Sequence, residues 1–279
     1  MWDNIVTTIL ETLKIVTMVT VIMTLIEFLE LKFEKEIREK ITRKPINQYA
    51  IASVLGAIPG CTDAFFIVSL YLHGLVGFGA LVAVMLSTAG DEAFVMLSMI
   101  PEEALLIFII CAIFGLIGGL TADRVVKRLK IETSQPCAIE FHKEEFSTKH
   151  FFREHVYDHI LKKHIPKLFL WIFLTMFFVN FLVNNYNLEP FISNLPELFL
   201  IIIAALLGLI PESGPHLLLL ILYSKGLVPF SVLLVNTLSQ DGHGLLPLLS
   251  YSLKDTIYVQ IFTTLFSIAV GVMLYFIGF

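Results

Sequence analysis

Residues 55–98 of this chain read LGAIPGCTDAFFIVSLYLHGLVGFGALVAVMLSTAGDEAFVMLS, and residues 207–250 read LGLIPESGPHLLLLILYSKGLVPFSVLLVNTLSQDGHGLLPLLS. The two stretches align without a gap at an offset of 152, and 16 of 44 aligned positions are identical. A shared apolar bias would match leucine with leucine, but Pro, Tyr, Gly and Ser also keep this register, as in Pro59/Pro211 and Tyr71/Tyr223. The chain therefore contains an internal duplication.

The composition around these stretches is that of an integral membrane protein. Of 279 residues, 57% are hydrophobic and only 15% are charged, and the mean hydropathy is +0.83. No Lys or Arg occurs between Tyr49 and Ala122, and Lys225 is the only one between Leu168 and Ser252. A soluble domain of this length would need more charge on its surface. Long apolar segments, as opposed to short alternating ones, predict an all-α polytopic membrane protein and exclude a β-barrel.

Eight apolar segments are predicted to enter the membrane, four in each half of the chain. A polar stretch divides them, so that residues 1–122 form the first transmembrane repeat, 123–166 a cytoplasmic linker and 167–279 the second repeat. The segments are residues 5–31, 49–72, 75–100, 104–122, 168–186, 197–223, 226–252 and 256–278.

The positions of the basic residues constrain the topology. They concentrate in Lys32–Lys44 and Arg124–Lys167, which the positive-inside rule places in the cytoplasm. An even number of crossings must then separate the two stretches, yet three apolar segments lie between them. We therefore expect one segment, best residues 49–72, to be re-entrant. Each half then crosses the membrane three times, and the two repeats have inverted topologies with broken or re-entrant helices, as in many secondary transporters.

Polar residues gather where Pro and Gly interrupt the apolar segments. Each half has two such breaks, at residues 59–63 and 87–92 in the first and at residues 211–216 and 239–244 in the second. Pro and Gly leave backbone groups without helical partners, so the breaks must face protein or water. We predict the substrate site there, with the candidate binding residues Asp91, Glu92, Glu212, His216, Asp241, His243, Cys61, Asp63 and Ser213.

The charges at the breaks indicate a cationic substrate. Five carboxylates converge there with two histidines, and no Lys or Arg shares their depth. Such a group is costly in a low dielectric unless protons or a cation neutralise it. Carboxylate, imidazole and backbone carbonyl ligands suit Mn²⁺, Zn²⁺ or Fe²⁺ better than a monovalent ion. The predicted metal ligands are Asp91, Glu212, His216, Asp241 and His243.

Four phrases at these breaks carry a family resemblance. They are GAIPGCTD, STAGDE, GLIPESGPH and SQDGHGLLPLL, beginning at Gly56, Ser87, Gly208 and Ser239. From about residue 50 to its end the chain resembles the ten-transmembrane heavy-metal exporters, a bacterial and archaeal family whose members are often labelled manganese transporters. The resemblance implies metal-ion transport, in the direction of efflux, across the cytoplasmic membrane.

The predicted function is thus secondary transport of a divalent transition metal, with Mn²⁺ ahead of Zn²⁺ and Fe²⁺ and with proton exchange as the driving force. No GxxxxGK[ST] motif is present, so ATP coupling within the chain is not expected. Two alternatives stay open. One is an anion or metalloid transporter that uses half-helix N-termini. The other is an intramembrane metal-dependent hydrolase with His216 and His243 as ligands and Glu212 as base, although the HExxH motif is absent.

The expected partners follow from this reading. They are the transported metal ion and the lipid bilayer of the cytoplasmic membrane, which a multi-pass chain would span, while homo-oligomerisation stays open. We expect neither a resident cofactor nor a nucleic-acid partner, and a transporter rather than an enzyme.

Overall fold

The structure, a computed structural model, describes residues 2–41, 45–60, 62–131, 133, 157, 161–162, 165–185, 192, 194–211, 213–242 and 244–278. These residues form twelve helices and no extended strand. The predicted linker, residues 123–166, lies mostly outside them. The prediction of an all-α polytopic membrane protein is confirmed.

The first half of the chain contains six helices. They are α1 (Trp2–Ile41), α2 (Pro45–Gly56), α3 (Thr62–Leu72), α4 (Phe78–Ser87), α5 (Glu92–Met99) and α6 (Pro101–Leu129). The second half contains six more: α7 (Ile165–Asn185), α8 (Glu197–Gly208), α9 (Ser213–Ser224), α10 (Phe230–Ser239), α11 (Leu245–Tyr251) and α12 (Leu253–Ile277).

The helix bounds repeat with the offset found in the sequence. Helices α8 and α10 begin and end 152 residues after α2 and α4, and α12 begins 152 residues after α6. Backbone detail repeats as well, because Gly74 and Gly226 both adopt the left-handed conformation, with φ of 71° and 70°. The duplication therefore extends from the sequence to the backbone. The inverted orientation of the repeats stays a prediction.

Three helices are long and apolar enough to cross a membrane. Residues Ile5–Ile22 of α1 and the whole of α6 and α12 meet this condition among the described residues. Four of the eight predicted segments are instead split into pairs of shorter helices, α2–α3, α4–α5, α8–α9 and α10–α11. The outer faces of α1, α6 and α12 expose Leu, Ile and Val side chains, as contact with lipid tails requires.

Helices α4 and α10 form the centre of the molecule. Every residue of α4 is buried, as is every residue of α10 after its first. Helix α4 packs against α2 and α6, and α10 packs in the same way against α8 and α12. Small residues allow this close packing. A Cβ atom on Gly56 would lie 2.7 Å from the Val84 carbonyl oxygen, and one on Gly208 would lie 2.6 Å from the Cβ of Ser239.

Contacts between the halves are reciprocal. Helix α3 packs on α11, and the equivalent pair α9 and α5 also pack together. In addition, α4 contacts both α10 and α12. The equivalent elements of the two repeats thus exchange partners, which is the pattern of two bodies related by an approximate two-fold axis.

Helices α2 and α3 form a hairpin. The backbone N–H of Gly77, which follows α3, donates to Oε1 of Gln48 in the first turn of α2 at 3.2 Å. The chain therefore returns after α3 to the level at which α2 began. Nearby, the Tyr49 hydroxyl donates to Asp123 Oδ2 at 2.5 Å, and the Gly79 N–H donates to Asp123 Oδ1 at 2.7 Å. Asp123 thereby ties α2 and α4 to the end of α6.

Helices α1 and α6 extend several residues past the ends of the apolar segments that predicted them. Helix α1 ends at Ile41, ten residues into the charged stretch that begins at Lys32, and α6 continues from Ala122 to Leu129. The hydrogen bonds of Asp123 hold the first of these added residues of α6. Lys127 and Arg128 then favour the negative end of the helix dipole. Hydropathy marks the membrane boundary of a helix and not its end.

Candidate functional site

The candidate site consists of the four breaks between paired helices. Residues 57–61 separate α2 from α3, and residues 88–91 separate α4 from α5. In the second repeat residues 209–212 separate α8 from α9, and residues 240–244 separate α10 from α11. The interruptions therefore fall where the Pro and Gly residues predicted them.

The two breaks of the first repeat touch each other. Gly60 and Gly90 form an isolated antiparallel bridge, so the backbones of the two breaks are neighbours. Gly90 has a φ of 54°, a conformation that residues with a side chain rarely adopt. Its equivalent Gly242 has nearly the same value, 56°.

The breaks at residues 88–91 and 240–244 join the two repeats. The Gln240 side-chain amide donates to the Ala89 carbonyl oxygen at 3.3 Å and to Glu92 Oε2 at 3.2 Å. Beside them, a Cβ on Gly242 would lie 3.8 Å from Cγ2 of Thr88. The second break of each repeat thus packs against the other, and one side of the candidate site is formed across the repeat interface.

Two carboxylates in this region have oxygens without hydrogen bonds. Glu92 and Asp241 are 1% and 2% exposed. Among the described residues, Glu92 Oε1 and both carboxylate oxygens of Asp241 lack a hydrogen-bond partner. The Thr263 hydroxyl lies beside Asp241 but donates to backbone carbonyls of its own helix. Burying an ionised carboxylate away from water carries an effective penalty of order 5 kcal/mol. A bound cation or a proton would offset it.

Two further predicted acidic residues, Asp91 and Asp63, lie in the described part of the chain at the starts of helices. Asp91 is 4% exposed and immediately precedes α5, and its side chain makes no capping hydrogen bond to that helix. Asp63 is 8% exposed and lies in the first turn of α3, next to the break at residues 57–61. Both therefore lie beside the two breaks of the first repeat, which the Gly60–Gly90 bridge holds together.

His216 is held by polar groups of the second repeat. Its Nδ1 lies 3.2 Å from Asn236 Oδ1, and its Nε2 lies 3.1 Å from the Ile210 carbonyl oxygen. The Asn236 amide nitrogen donates to the Ala204 carbonyl at 2.9 Å, which directs its oxygen towards the imidazole. Both ring nitrogens thus face acceptors. A neutral imidazole can donate to one of them, whereas a doubly protonated ring donates to both.

The remaining predicted residues lie outside the described part of the chain. This holds for Cys61, Glu212 and His243, and for the side chain of Ser213, whose backbone begins α9. Among the residues that the structure does describe, no three His, Cys, Asp or Glu side chains are close enough to hold a metal ion. The predicted ligand set of Asp91, Glu212, His216, Asp241 and His243 therefore stays a prediction.

The sequence reasoning missed two residues that organise the site. Gln240 bridges the repeats, and Asn236 orients His216. Both were detectable as uncharged polar residues within or beside an apolar segment. Asn236 in particular replaces Val84 of the first repeat at the equivalent position. A polar residue that replaces an apolar one between repeats is a signal of a specific role.

Comparison with known proteins agrees with these features. No curated protein and no solved structure matches the chain. A family model described as "Putative, 10TM heavy-metal exporter" matches residues 2–189 and 168–278, which together cover nearly all of it. That coverage confirms the family predicted from the sequence phrases at the breaks. The chain, with its duplicated half-helices and acidic central breaks, belongs to this family of ten-transmembrane heavy-metal exporters.

Proposed function

We propose that this transporter carries a divalent transition metal through a site at the contact between the two central breaks, with Mn²⁺ preferred over Zn²⁺ and Fe²⁺. The observation that carries the proposal is the pair Glu92 and Asp241. Each comes from a different repeat, each is buried, and together they present three oxygens without hydrogen bonds among the described residues. Oxygens of this kind are the ligands that a hard or borderline cation binds.

The surrounding charge favours a cation over an anion. The first repeat has no Lys or Arg between Tyr49 and Ala122, and the only Lys or Arg between Leu168 and Ser252 is Lys225, directly after α9. An anion site would be expected to include an arginine, which binds oxyanions through paired hydrogen bonds. Carboxylate oxygens favour Mn²⁺, and His216 and His243 would add affinity for Zn²⁺ and Fe²⁺.

The order of contacts along α6 and α12 supports inverted repeats. Phe114 of α6 packs on Phe266 of α12, with ring centroids 6.1 Å apart. Towards the end of α6, Asp123 bonds Gly79, whose neighbour Phe78 packs on Tyr71, and Tyr71 bonds Asp255 at the start of α12. Residues nearer the end of α6 therefore lie nearer the start of α12, so the two helices run antiparallel. Antiparallel equivalent helices are what an inverted repeat requires, and such repeats underlie alternating access.

Proton exchange would provide the driving force for efflux across the cytoplasmic membrane. Metal ligands must be deprotonated to bind, so arrival of the ion releases protons and its departure restores them. Glu92, Asp241 and His216 are buried groups that can exchange protons for metal in this way. The hairpin of α2 and α3, which returns to the level of Gln48, supports the re-entrant segment of this topology.

A metal-binding titration of the purified protein tests the proposal. Asp241→Asn removes one charge at nearly constant size, and it should weaken Mn²⁺ binding by about tenfold or more. His243→Ala should weaken Zn²⁺ binding more than Mn²⁺ binding because imidazole favours the borderline ion. Both losses should shrink at low pH, where protons already compete with metal in the wild type.

Asp123→Asn is the matched control for the first variant. Asp123 is satisfied by Tyr49 and Gly79 at the end of α6, away from the breaks, so the same chemical change should leave metal affinity unaltered. Equal losses of metal affinity in Asp241→Asn and Asp123→Asn would show that the removed charge acts through long-range electrostatics and that Asp241 is not a metal ligand. If no variant alters metal affinity, and an oxyanion binds to all of them alike, the anion transporter is the correct reading.

A further inference from the structure

A second pair of equivalent positions lies at the two ends of the molecule. Tyr71 at the end of α3 corresponds to Tyr223 at the end of α9, and Glu103 in the first turn of α6 corresponds to Asp255 in the first turn of α12. In both repeats the tyrosine packs edge-on against the phenylalanine that begins the next helix. The centroids are 6.4 Å apart for Tyr71–Phe78 and 6.3 Å apart for Tyr223–Phe230.

Each tyrosine faces the carboxylate of the other repeat, but the two contacts differ. The Tyr71 hydroxyl donates to Asp255 Oδ2 at 2.8 Å. Tyr223 lies within electrostatic range of Glu103, yet no hydrogen bond joins these two described residues. Tyr71, Phe78 and Asp255 are all buried, whereas Tyr223, Phe230 and Glu103 are partly exposed. One contact is closed and its equivalent is open.

The two contacts lie at opposite ends of α6. Tyr71 is beside Phe78 and therefore near Asp123, at the end that continues into the basic linker. Glu103 lies at the beginning of the same helix. Along the chain, each central break lies between the tyrosine and the acidic residue of its own repeat. Glu92 falls between Tyr71 and Glu103, and Asp241 falls between Tyr223 and Asp255.

Resting on the proposed transport function, we propose that Tyr71–Asp255 and Tyr223–Glu103 are equivalent gates on the two sides of the central site. In this structure the gate next to the linker is closed and the opposite gate is open. An approximate two-fold relation gives both gates the same parts, so exchange of their states converts one access direction into the other. By the positive-inside rule, the closed gate faces the cytoplasm.

Hydrogen–deuterium exchange on the full chain in lipid nanodiscs, without metal, tests the coupling between the gates. Tyr71→Phe removes the donor but keeps the ring, and it should speed exchange at residues 253–258 by about tenfold. It should also slow exchange at residues 101–106, because the opposite gate closes when the first opens. Asp255→Asn should act in the same direction and more weakly, since an amide oxygen still accepts from Tyr71.

Tyr223→Phe is the matched control because it makes the equivalent change at the open gate. In the double variant Tyr71→Phe/Tyr223→Phe both gates lose their donors, so exchange at residues 101–106 should return to the wild-type rate. If Tyr71→Phe instead speeds exchange at residues 253–258 while residues 101–106 are unchanged or faster, the tyrosine has only a local structural role and the gates are refuted. Reciprocal exchange in a protein that binds no metal would retain the gates and refute the proposed substrate. Metal binding without a reciprocal change in exchange at the two gates would refute the gates and retain the proposed substrate.

Discussion

The break at residues 88–92 and its equivalent at residues 240–244 share a backbone but not their chemistry. The N–H of Thr88 bonds the Val84 carbonyl, and the N–H of Gln240 bonds the equivalent Asn236 carbonyl, both at 3.0 Å. Gly90 and Gly242 then turn the chain with the same left-handed geometry. The side chains that follow differ, since the first break supplies Asp91 and Glu92 and the second supplies Asp241 before its glycine.

This difference teaches how a duplicated chain can form an asymmetric site. Positive φ values and close helix contacts depend on glycine, so they restrict substitution in both repeats. Side chains that face the other repeat meet a different neighbour and are free to diverge. Gln240 can therefore donate to Glu92, while its equivalent Thr88 accepts a local hydrogen bond from Gly90 at 3.3 Å.

The largest expected effect is a difference in stability between variants of two equivalent glycines, one on α6 and one on α12. A Cβ on Gly119 would lie 2.5 Å from the backbone oxygen of Gly79, which can move only with its helix. A Cβ on Gly271 would lie 2.4 Å from Cγ2 of Val235 and 2.9 Å from Cγ2 of Ile201, which are side-chain atoms that can shift without moving a helix backbone. Gly119→Ala should therefore destabilise the fold by about 3 kcal/mol and Gly271→Ala by less than about 1.5 kcal/mol. Equal falls in the apparent melting temperature in detergent would show that the two interfaces are equally adaptable.

The next effect concerns the contact between the repeats. Gln240→Leu removes the donor to Ala89 and Glu92 and leaves buried oxygens unsatisfied, which should cost about 2 kcal/mol. Thr88→Val, the equivalent change, removes only a weak local contact and should cost less than about 1 kcal/mol. Thermal unfolding of both variants provides the measurement. A larger loss for Thr88→Val would contradict the central role of Gln240.

The smallest effect concerns the outer ends of the repeats. Tyr49→Phe removes the donor to Asp123, and Ser231→Ala removes the donor to Glu197 at the equivalent end of α8 and α10. Each should cost about 1 kcal/mol, because the remaining carboxylates lie at helix ends and are not fully buried. The two variants should also bind metal like the wild type. A loss of metal affinity in either would extend the site beyond the breaks.

Much of the fold was predictable from the sequence because the duplication supplied its own alignment. Pro59 and Pro211 marked interrupted helices, and the structure breaks the helices there. The contact of Gln240 with Glu92 and that of His216 with Asn236 were not predictable. Hydropathy and spacing describe positions along one segment, whereas these contacts depend on how separate helices cross. The extension of α6 beyond Ala122 was missed for a similar reason, since a helix can continue in water.

The central claim is that the two repeats contribute carboxylates to one cation site. A double-mutant cycle of Mn²⁺ affinity with Glu92→Gln, Asp241→Asn and the double variant tests it most directly. If both groups bind the same ion, the first change already removes most of the affinity. The loss in the double variant should then be smaller than the product of the single losses, by about tenfold. A double loss within about twofold of that product would mean that the two carboxylates act independently, and it would contradict a shared site.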